Sequence, residues 1–164
     1  MVTDNIVVIR RSVPNYTPEE LERFRNYTAD WHKRDDWPVE VHDLLYGHGA
    51  KIHVYSTWKE TADRVINPQP GARIPTASSR TLTIEDADRL VKETLRHHGN
   101  DIDLWLGASM KSDRFKLIYT PGNNQITGFG ISRGEDKFLP TYKMTVELMR
   151  TKRGYIIDKF YPSF

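Results

Sequence analysis

The chain has 164 residues, 38% of them apolar and 28% charged, the balance of a globular domain with one sizeable core. Its 24 Lys and Arg exceed its 22 Asp and Glu by only two, so a nucleic-acid partner would need a local basic patch. With no cysteine, it has no disulfide, thiolate zinc site, iron–sulfur cluster or cysteine nucleophile, and its fold rests on the core alone.

Near the start, residues 6–9 form a four-residue apolar run before Arg10 and Arg11. A secretory signal needs roughly 7–15 apolar residues, and a membrane span about 20, so neither is expected. Thr17-Pro18-Glu19-Glu20 is a helix start: Thr17 caps, Pro18 takes the first helical position and Glu20 closes a capping box. This helix is predicted to run to about Lys33, with Leu21, Phe24 and Tyr27 on one stripe. A second helical stretch follows Pro38, carrying Val41, Leu44 and Leu45.

Thr57-Trp58-Lys59-Glu60 is another capping box, and Trp58, Ala62, Val65 and Ile66 share the face that follows. A third box, Thr83-Ile84-Glu85-Asp86, opens a helix whose inner face is Ile84, Ala87, Val91 and Leu95, with Gly99 as its C-cap. After Gly99 the period changes to two. Strands are predicted over 115–119, 125–132, 142–149 and 155–161, with hairpin turns at 121–124 and 150–154. Helices first and an antiparallel meander last make an α+β fold. We expect one domain over 1–164, with a helical N-terminal part, 1–46, and a catalytic part, 47–162.

No HExxH motif, EF-hand loop or P-loop is present, and no cofactor or metal is expected. His97 and His98 are read as cations on the last carbonyls of their helix. The segment Gly47-His48-Gly49-Ala50-Lys51-Ile52-His53-Val54 carries two histidines and a lysine ahead of the helix that bears Arg64. Phosphodiester transesterification needs a base, a proton donor and a cation on the phosphate oxygens, and these are the residue types that supply them. The alternative is an exposed polar loop.

On the last strand, alternation puts Tyr155, Ile157, Lys159 and Tyr161 on one face, as a cleft wall or a solvated sheet face. Ser78 and Ser79 lack the context of a nucleophile and are read as turn residues or phosphate contacts. Arg73, Arg80, Lys143, Lys152, Arg153 and Lys159 are candidates for one basic surface.

Several of these signals recur together and in order: Gly47-His48, His53-Val54, Arg64-Val65, Ala77-Ser78-Ser79, the helix 84–98, Trp105-Leu106, Gly128 with Arg133-Gly134, and Tyr161-Pro162. In this the chain resembles the RNase A-like toxin domain at the C-termini of bacterial contact-dependent inhibition proteins and other polymorphic toxins. The resemblance covers residues 47–162.

The resemblance implies an RNase A-like fold and an antibacterial ribonuclease that cuts RNA without metal by attack of the 2′-hydroxyl. It implies a catalytic His53, a phosphate-stabilising Arg64 and a C-terminal Tyr161, with His48 as a second histidine and Lys51, Ser78, Ser79 and Arg80 as substrate contacts. Lys159 stands where relatives usually carry Thr, which puts a cation in the site or alters the activity. The implied partners are RNA, cut generally or at one tRNA loop, and a cognate immunity protein. The implied setting is delivery from a producing bacterium, secreted or at its surface within a larger toxin, with action in the target-cell cytoplasm. Two other readings stay open: a ribonuclease toxin of the barnase/EndoU/colicin/RelE-like fold, and a non-enzymatic immunity or adaptor module.

Overall fold

A computed structural model describes residues 15–108 and 112–164, so the apolar run 6–9 lies outside the described residues. The first capping box forms as expected, with Thr17 Oγ1 accepting from Glu20 N and Glu20 Oε1 accepting from Thr17 N. Helix α1 covers Pro18–Arg25 and stops well short of Lys33. Asn26 caps it, and Thr28 turns the chain with φ 42°. A short 3-10 turn, Trp31–Lys33, then sends Trp31 into the core, where its Nε1–H donates to Tyr155 O at 2.9 Å. The stretch after Pro38 is also a 3-10 helix, Val39–Leu45, which buries Val39, Val41 and Leu45.

Helix α2 is Gly49–His53 and α3 is Trp58–Ile66, the latter opened by the expected box of Thr57 and Glu60. On α3 the buried residues are Thr61 and Val65, while Ile66 is exposed. Helix α4 is Ile84–His97. Its third box is incomplete, because Asp86 is a carbon shorter than Glu and its carboxylate meets the Thr83 hydroxyl. Gly99 is not a C-cap. His98 caps α4, and Gly99 opens a further helix, α5 (Gly99–Gly107), which buries Ile102 and Trp105. His98 does not serve the helix carbonyls: its ring bridges Asp101 Oδ2 and Ile118 O.

The strands are β1 (Ala77–Arg80), β2 (Arg114–Tyr119), β3 (Gly128–Ser132), β4 (Leu139–Thr141), β5 (Lys143–Arg150) and β6 (Tyr155–Ser163). They form two three-stranded antiparallel sheets, ordered β1-β3-β4 and β2-β5-β6. The fold is α+β, with helices before antiparallel sheets. The turn 150–154 closes the β5–β6 hairpin, but 121–124 links strands of different sheets and is no hairpin. The sheets meet along the end of β6, where Ser79 Oγ donates to Pro162 O at 2.6 Å.

The core gathers Phe24, Trp31 and Val41 from the N-terminal part, Leu90 and Leu95 from α4, and Val146, Leu148, Ile157 and Phe160 from the hairpin. The alternation predicted for the last strand fails in the middle. Glu147 pairs with Lys159 and Leu148 with Ile157, so Asp158 is an extra residue, a β-bulge. Tyr155, Ile157 and Phe160 therefore share the core face, while Lys159 and Tyr161 share the other. The eight residues of β5 hold Lys143 roughly 25 Å from the turn that carries Lys152 and Arg153.

Candidate active site

Helix α2 lies directly on β6. A Cβ on Gly49 would fall 2.3 Å from the Phe160 ring, and one on Gly47 2.3 Å from Ile157 O, so only glycine lets the two backbones approach this closely. Asp43 caps the start of α2 from outside, accepting from Ala50 N at 3.0 Å and Lys51 N at 2.7 Å. Burial raises the pKa of its carboxyl despite these bonds. His48 N–H donates to Asp158 O at 2.8 Å, which ties the entry of α2 to the bulge.

His53 ends α2. Its Nδ1 lies 2.8 Å from Ser79 O; donation to that carbonyl fixes the tautomer and leaves Nε2 as the basic nitrogen. Burial pushes its pKa down to about 3 against the bond to Ser79 O, which acts to raise it, and the nearby Arg64, His48 and Lys159 add to the fall. The imidazole is thus neutral at physiological pH, the state a general base requires. Its ring centroid is 5.4 Å from that of Tyr161.

Arg64, on the last turn of α3, reaches back to the same place. It donates to Ile52 O at 2.7 Å, Ser56 Oγ at 3.1 Å and Ser78 Oγ at 3.2 Å, all neutral acceptors, and burial lowers its pKa. Three of its five N–H donors are used this way, so it arrives oriented and cationic.

Glu147, across the sheet from Lys159, joins the remaining two residues. Tyr161 OH donates to Glu147 Oε2 at 2.8 Å, and Lys159 Nζ lies 3.8 Å from the same oxygen. Burial, then the bond to Glu147, raise the Tyr161 pKa, so the phenol stays neutral. On the other side, His48 Nδ1 is 3.7 Å from Asp158 Oδ1, and Arg114 pairs with Asp158 Oδ2.

The structure therefore brings His48, His53, Arg64, Lys159 and Tyr161 together around α2 and β6. Lys51 is exposed on α2. Ser78 and Ser79 are buried behind the site, holding Arg64 and Pro162 O. Arg80 donates to Val54 O and Ser56 O and lies over the Trp58 ring, fixing the link from α2 to α3. Sequence reasoning missed Glu147, Asp158 and Arg114. Strand alternation does put Glu147 on the outer face of β5, which was the one signal available.

The model of the bacterial CdiA-CT RNase A domain family matches residues 47–162. The chain belongs to this family. The match sets aside the barnase-like and adaptor readings and makes this a CdiA-CT RNase A-like toxin domain, with ribonuclease action implied by the family. A solved structure of a CdiA-CT/CdiI complex from Y. kristensenii 33638 is similar in fold, with a TM-score of 0.61 and 21% identity over 72% of this chain and 100% of that chain. No match was found among curated proteins. Among the described residues, no helix is long and apolar enough to cross a membrane.

His42 is the second histidine held neutral. Its Nδ1 accepts from Ile157 N at 3.0 Å, it packs between Trp31 and Trp37, and burial pushes its pKa down to about 3. Unfolded, His42 and His53 take protons near pH 6.5; folded, they refuse them until about pH 3. Stability is then full above pH 6.5 and falls as the pH drops, by about 1 kcal/mol per pH unit for each histidine. Thermal unfolding at pH 7.5 and 4.5 should show a clear fall in Tm; equal values would contradict the burial of both rings.

Proposed function

We propose that this domain is a metal-independent endoribonuclease that cleaves RNA by attack of a ribose 2′-hydroxyl on the adjacent phosphate. The observation that carries this reading is His53: a neutral imidazole, aimed by Ser79 O, beside the cations Arg64 and Lys159 and a second histidine, His48. In this reading His53 Nε2 takes the 2′-OH proton. Arg64 and Lys159 stabilise the extra negative charge at phosphorus, and Tyr161 with Glu147 shapes the wall on which the phosphate rests. Lys51 is the exposed cation placed to meet a neighbouring phosphate. The 2′-OH requirement restricts the substrate to RNA, either generally or at one tRNA loop.

Within the helical part, 1–46, the described residues 15–46 would brace the catalytic part, 47–162, within one domain; Trp31, reaching Tyr155 O, supports this. The domain would be released from a larger toxin of a producing bacterium and act in the target-cell cytoplasm.

Incubating total RNA with the protein in EDTA tests the activity. Cut ends should carry 2′,3′-cyclic phosphate and 5′-hydroxyl groups, and His53→Ala should lose cleavage. His53 sits in a helix and bonds Ser79 O, so its removal should also cost about 1 kcal/mol of stability. Cleavage that EDTA abolishes, or a fully active His53→Ala, would refute the reading.

Lys159→Ala should lower turnover about 10²–10³-fold, the loss expected on removing one transition-state donor. Lys159→Thr should recover part of it. Wild-type rates from both variants would make Lys159 a surface residue paired with Glu147 and nothing more.

The CdiI seated on the similar toxin suggests that this domain too has a cognate inhibitor. We expect it to be acidic, to match the cations around His53, and to associate more slowly as salt rises. Association rates that do not vary between low and high ionic strength would argue against a charge-matched cleft.

A further inference from the structure

The Tyr161 hydroxyl proton is directed at Glu147 Oε2, and its pKa is raised, so Tyr161 is badly placed to protonate a departing 5′-oxygen. We propose that His48 is the general acid for that oxygen and that Asp158 is its positioning residue; this rests on the ribonuclease reading above.

Asp158 is the extra residue of the β6 bulge and is 7% exposed. It meets His48 at two points. Its backbone oxygen accepts the His48 N–H at 2.8 Å, and its Oδ1 faces His48 Nδ1 at 3.7 Å. Arg114 occupies Oδ2, which leaves Oδ1 facing the imidazole. A ring that faces Asp158 with Nδ1 turns its Nε2 away, and the His48 side chain is 42% exposed, so that edge is open to substrate. The titratable and charged groups around His48 are Asp158 on β6, Arg114 on β2, Asp43 before α2, and His53 at the far end of α2.

The two histidines thus stand at opposite ends of one five-residue helix, His53 bonded through Nδ1 to Ser79 O and His48 with its Nδ1 turned to Asp158. An in-line displacement needs its base and its acid on opposite sides of phosphorus. In the step, the 2′-OH gives its proton to His53 Nε2 as the O2′–P bond forms. The P–O5′ bond breaks, and O5′ takes the proton from His48 Nε2. The products are a 2′,3′-cyclic phosphate and a 5′-hydroxyl, with the two imidazoles left in exchanged protonation states.

The test compares a short RNA with an ordinary 5′-oxygen at the scissile bond and the same RNA with 5′-sulfur there. A thiolate leaves without needing a proton. His48→Ala and His48→Gln should slow the oxygen substrate about 10²–10⁴-fold and leave the sulfur substrate close to the wild-type rate. Asp158→Asn should show the same selectivity, with a loss of about tenfold or more on oxygen. His53→Ala should slow both substrates.

Circular dichroism and thermal unfolding identify the folded variants; the Gln and Asn changes preserve size and polarity if alanine does not fold. Equal slowing of both substrates by the His48 and Asp158 variants would overturn the proposal and make the pair a brace for α2. Unchanged rates on both would overturn it as well. A wild-type protein inert on both substrates would remove the ribonuclease reading itself, and this proposal with it.

Discussion

The contact between α2 and β6 is the constraint on which the site depends. A five-residue helix has too little hydrogen bonding to hold its own position, so its place is set by what it touches. Here that is the backbone of β6 and the face of Phe160, reached because Gly47 and Gly49 carry no Cβ. Asp43 supplies the missing cap, and the bulge at Asp158 receives the His48 N–H. One helix, pressed on one strand, thereby fixes His48 at its entry and His53 at its end. Arg64 then spans the gap to α3 and β1, bonding α2 through Ile52 O and β1 through Ser78. Replacing either glycine would push α2 outward and misplace both imidazoles together.

The electrostatics follow from the same packing. Burial keeps both His42 and His53 neutral in the free domain, but for different ends. His42 is sealed between two indoles and anchors Ile157 N, a purely internal bond. His53 is only partly buried and faces Tyr161, with cations nearby that would resist a second positive charge. Low dielectric and like charge act in the same direction there. An anion arriving among those cations would relieve the repulsion, so the site favours a proton on His53 more once a phosphate is bound than before.

What was legible in the sequence was local. The boxes at Thr17 and Thr57 need only four consecutive residues, and both formed. The inner face of α4 was readable because one apolar stripe repeats over fourteen residues. Helix α5 was hidden by Gly99 and Asn100, which end helices more often than they begin them. Strands β1 and β4 are short, polar or interrupted by Pro140, and become strands only by pairing with either side of β3. For the site, the residues His53, Arg64, Lys159 and Tyr161 were legible through residue type and order. Their partners Glu147 and Asp158 were not, because cross-strand register and a bulge are decided by tertiary packing.

The bulge shows why a single inserted residue matters so much to this site. With regular alternation, Tyr155, Ile157, Lys159 and Tyr161 would share a face, and the core would lose either Ile157 or Phe160 to solvent. Both are buried, so the strand must change parity between them. The change falls at Asp158, and it leaves the three residues after it free to present Lys159 and Tyr161 outward while Phe160 stays inside. A polar residue is accommodated at that point because the bulged position pairs with neither Leu148 nor Glu147 and its carboxylate finds partners at the surface of the hairpin. It is also the position nearest the start of α2, where a carboxylate meets His48 on one oxygen and Arg114 on the other. The demand of the core for Ile157 and Phe160 together thus creates the bulge, and the bulge creates the contact that orients the second histidine.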